Sequence, residues 1–214
     1  MIPLDILSDP ICPWCYIGKT QLDRALAERP DHPFEIAWHP FQLNPDMPRE
    51  GRDRRSYLEA KFGGPERAAG VYGQIAQAAK GAGIDIDFAS IPRTPNTLDA
   101  HRLIHWAGLE GRQDAVVDAL FMAYFHDGRD IGDADTLTGI ATACGLDGAM
   151  TARLLAGDGD RAELAARDAQ ARARGVRGVP TFIIGARHVL TGAQPVDVWT
   201  KVIDGIASGE IGFD

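Results

Sequence analysis

Cys12 and Cys15, in the segment Cys-Pro-Trp-Cys, are the side chains of this 214-residue chain whose type and spacing best suit covalent chemistry. A thiol attacks a disulfide as its thiolate, and the reaction completes only if a second sulfur is near enough to resolve the mixed disulfide. Cys-x-x-Cys at a helix start meets both needs. The first sulfur faces unpaired backbone N–H groups and the positive end of the helix dipole, and the second lies one turn inward. Pro13 suits the first helical position, because its fixed φ fits a first turn and the N–H it lacks would have had no partner. Cys12 is therefore the expected nucleophile and the more exposed thiol, and Cys15 the resolving thiol. The competing reading of such a pair is half of a zinc site, which wants two further Cys or His ligands at short spacing. Cys144 has no such partner, and neither His39 nor His188 belongs to a ligand pair. No metal site is assigned, and Cys144 reads as a small buried helix residue.

The elements that must position the pair follow from periodicity. Ile2, Leu4 and Ile6 alternate as in a strand and run straight into the cysteines, and Ile17, Leu22, Ala25 and Leu26 then recur at helical spacing until Arg29-Pro30. Phe34, Ile36 and Trp38 mark a second strand. From about residue 44 to 168 helical segments follow one another, with Asn96 and Asp133 as N-caps and Gly145 as a stop. The only strand-like run among them is Ile84-Asp-Ile-Asp-Phe88. A charged helix over about 161–174 precedes strands at Thr181-Phe-Ile-Ile184 and His188-Val-Leu-Thr191. A last helix begins near Pro195, with Val198, Trp199, Val202, Ile203 and Ile206 on its apolar face. The pattern predicts an α/β protein: residues 1–43 and 169–214 form one discontinuous unit, and 44–168 form an all-helical insertion.

A hydrophobic content of 45% is enough for an ordinary globular core, and a formal charge of −8 argues against a phosphate-tracking, nucleic-acid-binding surface. The basic stretch Arg49, Arg52, Arg54, Arg55 reads as a solvated loop and helix start. The first residues lack a basic n-region, and no apolar run is long enough to span a bilayer. A cytoplasmic protein without membrane contact, monomeric or homodimeric, is expected. In that compartment a close cysteine pair is more often catalytic than structural.

Asp9-Pro-Ile-Cys-Pro-Trp-Cys15, Gly178-Val-Pro-Thr181 and the helical block between them resemble the DsbA-like branch of the thioredoxin superfamily. Asn44-Pro-Asp-Met-Pro48 and Pro95-Asn-Thr-Leu-Asp-Ala-His-Arg102 bring the chain closest to cytosolic FrnE-like dithiol-disulfide oxidoreductases and isomerases. The resemblance covers nearly the whole chain. It implies a thioredoxin-like fold, a helical insertion domain, and a cis Val179–Pro180 peptide facing the cysteines. It also implies a thiol-disulfide oxidoreductase or isomerase whose redox group is the Cys12–Cys15 disulfide. No other tightly bound cofactor is implied; glutathione enters as a possible co-substrate, and the partner is a protein or small-molecule thiol or disulfide. A cis X-Pro turn offers the backbone of Val179 to an extended peptide while keeping the sheet from closing over the sulfurs. Pro13, Trp14, Val179 and Pro180 are thus substrate-binding candidates, with Asn96 and His101 assigned to the groove lining. Trp14 stands where periplasmic relatives usually carry His, and this implies a milder redox poise. The alternative is a glutathione-dependent isomerase or transferase of the 2-hydroxychromene-2-carboxylate isomerase or kappa-class type. Those proteins typically carry Ser at the position of Cys12.

Three further signals are weaker. His101-Arg-Leu-Ile-His105 puts two histidines on one helix face, but Arg102 stands where a zinc protease carries Glu, so a helix-surface or interface role is expected. Gly157-Asp-Gly-Asp-Arg-Ala162 imitates a dinucleotide turn, yet it follows a helix, and its acids would repel pyrophosphate. Asp9 is close enough to Cys12 to influence it, although Asp-Pro is also an ordinary turn.

Overall fold

The computed structural model describes residues 1–213. Strand β1 (Ile2–Ser8) leads through the cysteine loop into helix α1 (Pro13–Glu28) and strand β2 (Phe34–Pro40). The insertion then contains β3 (Arg52–Asp53), α2 (Arg54–Phe62), α3 (Pro65–Gly81), β4 (Arg93–Thr94), α4 (Leu98–Leu109), α5 (Gln113–Phe125), α6 (Ala134–Ala143), α7 (Gly148–Ala156) and α8 (Arg161–Ala173). The chain closes with β5 (Thr181–Ile184), β6 (His188–Thr191) and α9 (Val196–Ala207). The main sheet has the order β2-β1-β5-β6, with β1 parallel to β2 and the other two pairings antiparallel. This is the expected thioredoxin-like arrangement with helices inserted between β2 and β5. No helix among the described residues is long and apolar enough to cross a membrane.

Alternation along the strands assigns one face of the sheet to α1 and α9. Leu4, Ile6, Phe182 and Ile184 are buried there, and Phe182 meets Trp199 of α9 edge-on with ring centroids 4.8 Å apart. Each such large side chain stabilises the fold by roughly 1.5–3 kcal/mol through burial alone. Gly18 in α1 is set by the same packing: a Cβ there would lie 3.0 Å from the Pro180 ring and 3.4 Å from Phe182. A glycine inside a helix is unfavourable by about 1 kcal/mol relative to Ala, and close approach to the Pro180 loop accounts for it.

The insertion grips α1 from the other side. Tyr16 stacks on Phe121 and Phe125 of α5, with centroids 5.1 and 5.7 Å apart. The ammonium of buried Lys19 meets Asp23, Asp118 and Asp114 at 2.7, 2.8 and 3.3 Å. Burial works to neutralise Lys19, but the three carboxylates outweigh it and hold the amine charged. One hydrophobic core therefore runs from the sheet through α4 and α5, and α8 crosses residue 168, where the sequence pattern ended the insertion.

Several local expectations need correction. Residues 84–88 form no strand: Ile84 and Ile86 are buried in the hydrophobic core while Asp85 and Asp87 are exposed, so the alternation reflects burial on one side without a pairing partner. Two short strands, β3 and β4, pair instead. Thr97, not Asn96, is the N-cap of α4, although Asn96 Oδ1 does accept from the Leu98 N–H at 2.9 Å. Cys144 is the half-buried C-cap of α6 instead of a buried helical residue. Arg54 is buried, its guanidinium bonded to the Tyr124 hydroxyl at 2.9 Å and set over the Tyr72 ring, so the basic stretch is not wholly solvated.

The His101–His105 stretch is also no surface feature, since Arg102 is fully buried. Its guanidinium donates to the carbonyls of Gly159, Leu154 and Gly157 at 2.7, 2.6 and 3.0 Å and pairs with Asp99 at 2.7 Å. The turn that imitated a dinucleotide loop is therefore a socket for a helix cation. Substituting Arg102→Met leaves three carbonyls without their donor, and a loss of roughly 3–5 kcal/mol is expected. Urea denaturation checks this: the midpoint should fall with an unchanged slope.

Candidate active site

The site is built where β1 ends. Asp9 turns the chain: its carbonyl accepts from the Cys12 N–H at 2.9 Å, and its Oδ1 accepts from the Ile11 N–H at 3.3 Å. The other carboxylate oxygen, Oδ2, accepts from the Leu43 N–H at 2.6 Å, which ties the cysteine loop to the segment after β2. A second buried acid holds that segment from its far side. Asp168 Oδ1 accepts from the Gln42 N–H at 3.1 Å, while Arg172 bonds both Asp168 and the Gln42 carbonyl.

Cys12 is the N-cap of α1 and Pro13 its first residue, so the local geometry follows the helix-start signals. Both cysteines are free thiols in this structure. Cys12 is not the exposed thiol that a helix end suggests. It is 3% exposed against 1% for Cys15, because the Val179 loop lies over it; its Sγ is 3.7 Å from the Val179 carbonyl. The Val179–Pro180 peptide is cis, and the Pro180 ring is buried against α1. Burial pushes the Cys15 thiol well up, and the adjacent Cys12 sulfur adds to the shift, so Cys15 holds its proton. Trp14, 40% exposed, provides the large apolar surface beside the pair.

Asn96 is half-buried, and His101 is buried beside Ser8 and Pro10 at a small pocket next to the cysteine loop. Asn96 donates to the Met47 carbonyl at 2.6 Å and accepts from the Gln42 amide at 3.3 Å, so its side chain braces the loop after β2. His101 is buried with its Nε2 unpartnered, 4.0 Å from Asp9 Oδ1, because α4 turns this face into the junction beneath the cysteine loop. Asp9 is the residue whose part the sequence leaves open between an ordinary turn and an influence on Cys12. Its signal was the Asp-Pro step three residues before Cys12, but nothing in the sequence announces a wholly buried carboxyl group.

These two groups titrate in opposite senses. Burial pushes Asp9 up from 3.8 to about 7, so the folded protein binds a proton that the unfolded chain has released, and stability falls as pH rises through about 4 to 7. Burial pushes His101 down from 6.5 to about 4, so its share of stability, present above 6.5, is lost as pH falls toward 4. Each effect is on the order of 3 kcal/mol. The slopes oppose one another between about pH 4 and 6.5. Asp9→Asn removes the slope that opposes the histidine, so stability should rise more steeply from pH 4.5 to 6.5 than in the parent and no longer fall toward pH 7 on account of this site. Urea titrations at pH 4.5, 5.5, 6.5 and 7.5 test this, and a variant with the parental profile would contradict it.

Comparison with known proteins agrees with this geometry. The uncharacterized protein YwbO of Bacillus subtilis is 30% identical over 204 residues, which are 94% of this chain and 96% of that protein. The crystal structure of a probable DsbA oxidoreductase from Streptomyces coelicolor is 30% identical and covers 99% of this chain and 92% of its own, with a TM-score of 0.85. A cytosolic disulfide reductase, DsbM from Pseudomonas aeruginosa, shares the fold at 22% identity and a TM-score of 0.65, covers 96% and 98% of the two chains, and has also been solved with GSH. Residues 3–204 match the DSBA-like thioredoxin domain, and with the sheet order and the strand-to-helix cysteine loop this places the chain in the DSBA-like thioredoxin family.

Proposed function

We propose that this protein is a thiol-disulfide oxidoreductase in which Cys12 attacks and Cys15 resolves. The observation that carries the reading is the position of Cys12: at the N-terminus of α1, under the carbonyl of Val179 and one helical turn from a protonated Cys15. Burial around Cys15 keeps the second thiol protonated and in reserve one turn behind Cys12.

In the reducing direction the Cys12 thiolate attacks one sulfur of a substrate R–S–S–R′. The Cys12–S–R bond forms as the S–S bond breaks, and R′S⁻ leaves and takes up a proton. Cys15 then gives up its proton and attacks Cys12 Sγ. The mixed disulfide breaks, RS⁻ leaves, and the Cys12–Cys15 disulfide holds the oxidised state after two electrons have passed to the substrate. Oxidation of a substrate dithiol is the same sequence reversed. The cysteine pair is the only redox group required, and no other tightly bound cofactor enters the reading. Glutathione serves as a small thiol co-substrate that returns the pair to the dithiol; the GSH-bound fold relative supports this. The Val179 backbone aligns the substrate chain and exposed Trp14 gives it an apolar rim, while Pro13 and Pro180, both buried, hold the two loops that carry Cys12 and Val179. Retention of sulfur at Cys12 favours this chemistry over the glutathione-dependent isomerase alternative.

Cys12→Ser should abolish turnover of 2-hydroxyethyl disulfide in a glutathione-coupled assay, a loss of at least about 10³-fold. Cys15→Ser should accumulate Cys12 mixed disulfides visible by intact mass. A Cys12→Ser protein that retained activity would sink the assignment.

A further inference from the structure

The sheet face turned away from α1 and α9 is only partly covered. α8 lies across β2, and beside it opens a groove of about 1000 Å³. Leu7, Ile183 and Val189 make its apolar floor, and Val189 is 56% exposed. Its wall is the end of α8 and the loop that follows, which bring exposed Arg174 and Arg177 to the rim. The neighbouring cations Arg167 and Arg172 are paired with Glu163 and Asp168 at 2.5 and 3.1 Å, but Arg174 and Arg177 meet no carboxylate among the described residues. The one acid in the groove, Asp5, is occupied by His39 at 2.6 Å. On a chain of net charge −8, this is a local positive field over an apolar floor. The loop carrying Arg177 continues directly into Val179, whose carbonyl stands 3.7 Å from Cys12 Sγ.

We infer that this groove binds an acidic, partly apolar stretch of polypeptide next to the substrate's reactive cysteine, so that the protein selects acidic polypeptide disulfides. The inference rests on the redox reading above. A chain held at Val179 while its sulfur meets Cys12 enters the groove at one end, where carboxylates reach Arg174 and Arg177 and apolar side chains alternate onto the floor. Because both arginines are exposed, the preference should weaken with salt.

The test uses two peptides, each carrying one cysteine in a mixed disulfide with 2-mercaptoethanol, identical except that the residues flanking that cysteine alternate Leu with Glu in one and Leu with Lys in the other. The whole protein should reduce the Glu peptide on the order of tenfold faster in kcat/KM at low salt, with the ratio shrinking toward one in 0.5 M NaCl. R174E/R177E should lose or invert the preference while turning over neutral 2-hydroxyethyl disulfide at the parental rate. Equal rates on the two peptides, or a preference that survives the double substitution, would overturn the inference and leave the redox reading standing. No turnover of any disulfide by the parental protein would remove both. If the groove instead seats a second copy of this chain, light scattering would show a dimer that R174E/R177E dissociates, with no peptide preference, and that result also overturns it.

Discussion

A single buried carboxyl group holds the cysteine-bearing end of this protein together. Asp9 ties the cysteine loop to the Leu43 backbone through one oxygen and closes the loop on itself through the other, while its main chain receives Cys12. A group wholly inside the protein can be kept there only if its hydrogen bonds are made. Once they are, the start of α1 has little freedom relative to the end of β2. The placement of Cys12 under Val179, the depth of Cys15 and the exposure of Trp14 all follow from where that helix begins. Asp168 repeats the device from the other side, so the Phe41–Leu43 segment is clamped between two acids, and Arg172 stacks on Phe41 with its guanidinium 4.0 Å from the ring centroid.

The helical insertion does more than enclose this corner. Through the stacked rings of Tyr16, Phe121 and Phe125 and through the buried Lys19 it fixes the face of α1 that the sheet leaves open. The helix carrying the sulfurs is thus held between two packed layers, and Trp14 at its tip remains outside both.

The cysteine pair, the two strand-helix ends and the helical block were legible because each depends on local rules: alternation, helical period, a proline at a helix start. The cis Val179–Pro180 geometry was legible only through resemblance, since a Val-Pro-Thr run is otherwise an ordinary loop. What could not be read were facts of burial that arise from tertiary contact. Arg54, Arg102 and His101 look like surface residues in one dimension, yet each is enclosed where helices cross, and each enclosure is stabilised by partners 50 to 70 positions away or, for His101, leaves a nitrogen unpartnered. The alternation at 84–88 misled for the same reason, because one-sided burial produces a period of two with or without a neighbouring strand.

The sheet order also bears on how the chain is made. β1 pairs with β2 a few tens of residues away, but its other neighbour is β5, where Leu4 stands opposite Ile184. Cys12 and the Val179 carbonyl that covers it are 167 positions apart. Contacts of such separation form late, after the loop-closure entropy has been met. During synthesis, which proceeds at roughly 5–20 residues per second, the cysteine helix and the whole insertion emerge before the segment that covers the sulfur. For on the order of ten seconds the nascent chain therefore carries an uncovered pair of thiols, and assembly of β5 is the step that brings the Val179 loop over them.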